Sequence, residues 1–291
     1  MSERWVGILG ATSFVGECLF PSLLENRWHI LAFSRRSVAR KDPRVVWCNP
    51  NSPSAITALA DKNIEHWICV APIGVIPEYF DWMASLGAKR VVALSSTSRF
   101  TKKTSSDLSE QAAARRLVDG ESQLQQWAQI HGIDWVVLRP TMIYGFGRDK
   151  NLAEVARFIR RFGLFPLFGK ANGLRQPIHV QDVAMACMAA LQSPGIANRA
   201  YNLSGGEILP YREMIGRVFA ALGRPPRMLS VPLVVFRLAV AMLRFLPRYR
   251  NWTAAMAERM NHDLVFDHSE AAQDLAFKPR AFILSPEDVS M

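Results

Sequence analysis

Residues 10–16 read Gly-Ala-Thr-Ser-Phe-Val-Gly and stand between a short apolar run, Trp5–Leu9, and a helix-patterned stretch, Phe14–Asn26. A glycine turn placed there restricts the chain to few folds. Gly10 permits a tight turn and Gly16 permits close packing of helix on sheet. Backbone N–H groups freed at the helix start, together with the helix dipole, favour a bound phosphate. A lone glycine motif is weak, and this one has Ser13 in place of the middle glycine. Its position at the start of a βαβ unit makes it specific.

The pattern continues. Further apolar strands are predicted at Trp28–Phe33, Val45–Cys48, His66–Val70, Arg90–Leu94 and Ile133–Leu138, with helices at Ile76–Leu86 and about Ser109–His131. Strands without polar alternation are buried on both faces, so the sheet is expected to be parallel and covered by helices. The fold class is therefore α/β, a Rossmann-type doubly wound parallel sheet. After Pro140, helices at about Leu152–Arg161, Val180–Leu191, Tyr211–Leu222 and Val231–Leu246 predict a smaller, mostly helical C-terminal lobe. Residues 1–145 are assigned to the nucleotide domain and 146–291 to a substrate or partner lobe interleaved with it.

The end of the second strand bears on the choice of nucleotide. An acidic residue there would bind the ribose 2′-hydroxyl of NAD. The chain has Phe33-Ser34-Arg35-Arg36 instead. Two guanidiniums and a hydroxyl suit a 2′-phosphate, which favours NADP(H) over NAD(H). The expected cofactor contacts are Gly10, Thr12, Ser13, Phe14, Val15, Gly16, Ser34, Arg35, Arg36, Ala71, Ser95 and Pro140.

These residues, with several later segments, resemble the short-chain dehydrogenase/reductase superfamily, in its extended and atypical branch of NAD-dependent epimerases/dehydratases. Leu94-Ser-Ser-Thr97 matches the end of the fifth strand, where members place a catalytic Ser or Thr. Leu138-Arg-Pro-Thr-Met-Ile-Tyr-Gly145 matches a loop that lines the nicotinamide end. Arg175-Gln-Pro-Ile-His-Val-Gln-Asp182 matches a segment whose arginine contacts the substrate diphosphate in sugar-nucleotide enzymes. Ala200–Gly206 and Asp274–Pro279 match as well. The resemblance implies Thr97 and Tyr144 as catalytic candidates and Arg175 as a substrate contact, with a sugar nucleotide among the candidate small-molecule substrates.

One departure stands out. Active members carry a YxxxK pair on the helix after the fifth strand. Counting back from Glu121, which fits the family's acidic position, puts Ala113 at the tyrosine and Leu117 at the lysine. Neither can transfer a proton. Atypical members share this departure, among them a redox-silent NADPH-binding accessory subunit of respiratory complex I. Two readings therefore stand: an NADP-dependent oxidoreductase or epimerase-like enzyme, and a non-catalytic NADPH-binding accessory or assembly protein of a membrane complex.

Other residues have plainer readings. Lys102 and Lys103 are expected to be a solvated pair, and His179 and Asp182 to fix a loop and cap a helix. The six histidines and four cysteines show no metal-ligand spacing, so no metal is expected, and the thiols read as reduced. Neither a signal peptide nor an apolar run long enough to span a bilayer is evident, and a cytoplasmic location is expected. The formal net charge is +10. Residues 214–257 hold seven arginines and no acid, and Arg237, Arg244 and Arg248 share one face of the expected helix. A peripheral membrane or protein partner through residues 231–250 is expected from this, set against a core-packed helix whose arginines reach water. Nucleic acid is not expected, since no groove-reading or RNA motif accompanies the charge.

Overall fold

The computed structural model describes residues 3–36, 38, 42–50, 62–234, 236 and 254–290. The first stretch runs β1 (Trp5–Leu9), α1 (Phe14–Glu25), β2 (His29–Phe33), β3 (Val45–Cys48), β4 (His66–Cys69), a 3-10 helix (Ile73–Tyr79), α2 (Phe80–Ser85), β5 (Arg90–Leu94), α3 (Ser98–Thr101), α4 (Leu108–His131) and β6 (Asp134–Pro140). The second runs β7 (Ile143–Tyr144), α5 (Leu152–Phe162), β8 (Phe165–Phe168), β9 (Leu174–Arg175), β10 (Ile178–His179), α6 (Val180–Gln192), β11 (Arg199–Leu203), β12 (Leu209–Pro210), α7 (Tyr211–Ala221), β13 (Met228–Val231), α8 (Ala254–Arg259), α9 (Ser269–Leu275) and α10 (Pro286–Val289).

Seven strands form one sheet in the order β3-β2-β1-β4-β5-β6-β11, and every pairing is parallel. The apolar runs account for this. Ile8, Ile30, Ile68, Val92 and Val136 point to one face, where Leu19 and Leu23 of α1 and Val183 and Cys187 of α6 cover them. Leu9, Leu31, Trp67, Val91 and Val137 point to the other, under Ile76, Met83, Leu124 and Trp127. Each such aliphatic side chain, fully removed from water, contributes about 1.5–3 kcal/mol. A third core lies in the C-terminal lobe, where Leu152, Ala156 and Ile159 of α5 meet Ile215, Val218 and Phe219 of α7.

The structure departs from the sequence reading at one helix. The helix expected at Ile76–Leu86 is instead a 3-10 helix followed by the short α2, with Pro77 inside the 3-10 segment. Proline has no N–H and its ring crowds the carbonyl four residues back, which disfavours an α-helix through Pro77, although α1 accommodates Pro21. Elements pass between the two stretches across residue 145. α6 packs on α1, and β11 is the seventh strand of the first lobe's sheet. The expected helix at Val231–Leu246 lies largely outside the described residues. Among the described residues no helix is long and apolar enough to cross a membrane, and no His, Cys, Asp and Glu cluster could hold a metal.

Candidate functional site

The chain leaves β1 for β2 on one side, while β4 lies on the other. This reversal opens a crevice at the carboxyl ends of the strands, where open α/β sheets take their ligands. The glycine turn stands at that point. Gly10 has φ +83°, and a Cβ there would lie 2.5 Å from the Ala71 amide nitrogen just past β4. A Cβ on Gly16 would lie 2.7 Å from the Ala11 carbonyl oxygen and closer still to that of Gly10. Ser13 does more than tolerate the missing glycine. Its amide donates to Gly10 O at 2.9 Å, and its Oγ caps α1 by accepting from the Gly16 amide at 3.1 Å. The Phe14 and Val15 amides lie in the same first turn, where a helix has no internal acceptors to offer. Thr12 is exposed at the turn's tip.

At the end of β2 the Ser34 hydroxyl serves its own loop. Its Oγ accepts from the Arg36 amide at 3.1 Å and donates to the Arg36 carbonyl at 2.9 Å. This turn leaves the side chains of Arg35 and Arg36 exposed. Burial and Glu78 push the Tyr79 phenol above its ordinary pKa, while Arg35 pulls it down.

The ends of β5 and β6 are stapled together. Ser95 N donates to Leu138 O at 2.8 Å, while the Thr97 amide and Oγ1 both donate to Pro140 O, at 3.1 and 3.2 Å. Behind this staple lies a charge cluster that sequence reasoning missed apart from Glu121. Glu121 is 1% exposed. It accepts from Ser95 Oγ at 2.5 Å, from the Arg139 fork (Nη2 at 2.6 Å) and from Arg99. Two guanidiniums thus share one carboxylate, and burial lowers the pKa of both, with Arg139 adding to the effect on Arg99. An arginine on the sixth strand and an acid on the preceding helix give no pattern in sequence that joins them.

On α4, Ala113 and Leu117 lie on the face that begins at Glu110 and ends at Glu121, at helical steps of three and four residues. Glu110 pairs with Arg259 of α8, accepts from Ser105 Oγ at 2.7 Å, and lies 3.8 Å from Lys102. Lys102 is therefore not simply solvated. Burial first, and Arg259 next, lower its pKa. Lys103 is exposed.

Tyr144 lies in the C-terminal lobe's core. Its ring meets His179 and Phe282 edge-on at 5.2 and 5.0 Å, and 1% of the residue is exposed. Burial, with Asp288 and Asp182 adding, pushes its phenol well above the usual range. Its hydroxyl is buried without a hydrogen-bond partner among the described residues. His179 caps α6 through Nδ1, and its Nε2 lies 3.3 Å from Asp288. Asp182 holds Arg280 at 2.9 Å.

Arg175 is neither a free phosphate ligand nor a surface salt bridge. It is 6% exposed. Its guanidinium donates to the carbonyls of Leu174 and His262, both at 2.8 Å, and to that of Arg259. Arg175 thereby clasps the segment after α8 onto β9. Arg175→Met should cost about 2 kcal/mol in urea denaturation, because charged hydrogen bonds are lost and carbonyls are left bare. A variant that instead melts like the parent would place the guanidinium's main work elsewhere.

Residues 77–204 match the model of the NAD dependent epimerase/dehydratase family. The chain is 23% identical to the uncharacterized protein y4nG of Sinorhizobium fredii, over 94% of this chain and 74% of that protein. It is 26% identical to the mitochondrial NADH dehydrogenase [ubiquinone] 1 alpha subcomplex subunit 9 of Arabidopsis thaliana, but over 49% of this chain and only 38% of that one. The fold superposes on a UDP-glucuronic acid 4-epimerase from Bacillus cereus, solved with NAD, with a TM-score of 0.72. That match covers 98% of this chain and 95% of the other at 16% identity. The chain thus resembles the NAD-dependent epimerase/dehydratase family over residues 77–204, and its seven-stranded parallel sheet shares the fold of the Bacillus cereus epimerase.

Proposed function

We propose that the chain binds NADP(H) along the carboxyl edge of the sheet and presents its nicotinamide to a small-molecule substrate between the lobes, as an atypical oxidoreductase or epimerase-like enzyme without the Tyr/Lys pair. The observation that carries this is the turn at Gly10–Gly16. A Cβ at Gly10 would fill the space against Ala71, and a Cβ at Gly16 would push α1 off the turn. The Phe14 and Val15 amides of the first turn of α1 would hold the pyrophosphate, with Thr12 beside them. Arg35 and Arg36 would take the 2′-phosphate, with Ser34 shaping their turn. Ala71, Ser95 and Pro140 would line the groove.

A bound nicotinamide supplies hydride exchange at its C4. The chain's own residues orient and charge the site. The hydrogen bonds of Thr97 to Pro140 fix the width of the β5–β6 edge. The Arg99–Glu121–Arg139 cluster carries a net positive charge behind it, which favours a substrate oxygen that gains negative charge. Arg175 is committed to backbone carbonyls, so a sugar nucleotide would find its diphosphate partners elsewhere, and a carbonyl substrate without a diphosphate fits this clasp better.

A second reading, a non-catalytic NADPH-binding accessory protein of a membrane complex, has its own support. Ala113 and Leu117 replace the proton-handling pair, the Ser95 and Thr97 hydroxyls are taken by Glu121 and Pro140, and Tyr144 is buried. Similarity to a mitochondrial NADH dehydrogenase subunit points the same way. NADPH titration followed by turnover assays with sugar nucleotides, quinones and carbonyl compounds separates the two. Substrate-dependent change of the cofactor's absorbance, or epimerised product, supports the enzyme. Tight binding with no turnover across the panel supports the accessory protein.

The cofactor preference has a sharper test. Replacing Arg35 and Arg36 together by Ala should weaken NADPH binding roughly 30-fold or more, since charged hydrogen bonds contribute about 1.5–3 kcal/mol each. NADH affinity should move less than about threefold on the same view, because it lacks the 2′-phosphate that these guanidiniums would hold. Equal losses for the two cofactors would overturn the assignment.

A further inference from the structure

Two stretches far apart in sequence share an unusual composition. Residues 155–170 contain Arg157, Arg160, Arg161 and Lys170, residues 214–257 contain seven arginines, and neither contains an Asp or Glu. Eleven of the 35 basic residues and none of the 25 acidic ones therefore fall there, leaving the rest of the chain nearly neutral at 24 against 25. The fold brings the two stretches together. β8 and β13 pair in parallel, with Leu229 opposite Pro166, and the Phe165 amide donates to Arg227 O at 2.9 Å. Arg224 donates to the carbonyls of Ile159 and Arg160 at the end of α5, tying the second stretch to the first.

The surface at this junction is apolar as well as basic. Phe162 is 54% exposed, Leu164 37%, Leu229 57% and Val234 66%, four of the twelve large apolar side chains that the described residues leave exposed. Arg161 lies over the Phe162 ring at 5.3 Å, and Arg161 and Arg227 are themselves exposed. Arg217 is paired with Glu207 and Glu213, but Arg161 and Arg227 stand exposed among protruding aliphatic and aromatic groups, which suits an anionic bilayer. Anionic headgroups take the cations while the apolar tips enter the acyl boundary. The chain runs on from this junction into residues 237–253, which by sequence add four arginines, many apolar residues and no acid.

We propose that the face formed by the end of α5, β8 and β13 docks the protein on an anionic phospholipid bilayer. The proposal is independent of the cofactor reading. Sedimentation of the full chain with phosphatidylcholine vesicles, with and without about one-third phosphatidylglycerol, tests it. Binding is expected only to the anionic vesicles, and to weaken between about 0.1 and 0.5 M salt as the charges are screened. The pair Arg161→Ala with Arg227→Ala should lower affinity for anionic vesicles roughly 30-fold, at about fivefold per surface cation. Phe162→Ser with Leu229→Ser should lower it too, without removing the salt dependence. Unchanged melting and NADPH affinity in these variants would show that fold and groove are intact. Three outcomes overturn the proposal. One is equal binding to neutral and anionic vesicles. Another is no vesicle binding at all, as an acidic protein partner would predict. The third is loss of binding on changing Arg244 and Arg248 but not on changing Arg161 and Arg227.

Discussion

Gly16→Val should abolish NADPH binding and lower stability by about 3 kcal/mol, the upper range for overpacking. The side chain would have nowhere to go. Even a Cβ would lie 2.7 Å from the Ala11 carbonyl oxygen and 2.9 Å from its carbon, and nearer still to Gly10 O. These neighbours are backbone, so no rotamer change relieves the clash. α1 would have to move away from the turn, and Leu19 and Leu23 would lift from the sheet with it. The Phe14 and Val15 amides, carried on the same helix, would leave the phosphate position. Urea denaturation reads the first effect and cofactor titration the second. A variant with parental stability and affinity would mean that α1 does not sit against the turn as closely as described.

Glu121→Ala should be costlier still, about 3–5 kcal/mol, the range for removing one partner of a buried ion pair. Arg99 and Arg139 would be left facing each other with side chains only 20% and 15% exposed. The Ser95 hydroxyl would lose its acceptor as well. Much of this is repulsion between the remaining charges, so adding Arg99→Leu to Glu121→Ala should restore part of the loss. A double-mutant cycle in urea measures the coupling. Coupling below about 0.5 kcal/mol would contradict a shared carboxylate, since neighbours in one network show more. Glu121→Gln keeps the shape while removing the charge, and should fall between Glu121→Ala and the parent.

The central sheet was legible because its strands are apolar on both faces. Ile8 and Leu9 point in opposite directions and both are buried, so Trp5–Leu9 carries its own placement. The glycine turn was legible for a similar reason, since its need is local. What escaped depends on residues distant in sequence. β8 and β13 are four residues each, some sixty positions apart, and neither has a pattern that names the other. The clasp on Arg175 is made by backbone carbonyls at 259 and 262, and a carbonyl has no sequence signature. Arg99 carries no sequence mark of its pairing with Glu121, 22 residues away. The helical periodicity of Ile76–Leu86 outweighed Pro77, which the structure places inside a 3-10 helix.

The traffic of elements across residue 145 affects how the molecule is made. α1 has no cover until α6 exists, the sheet has no seventh strand until residue 203, and Ala271, Leu275 and Phe277 complete the same core. The core around α1 is therefore closed only when residues as late as 277 have packed onto it. Closing contacts over such long separations is slow and exposes the chain to association on the way. The glycine turn and the residues that complete the core beneath α1 are thus separated by some 260 positions, so the turn gains its full support only when residues 271–277 have packed.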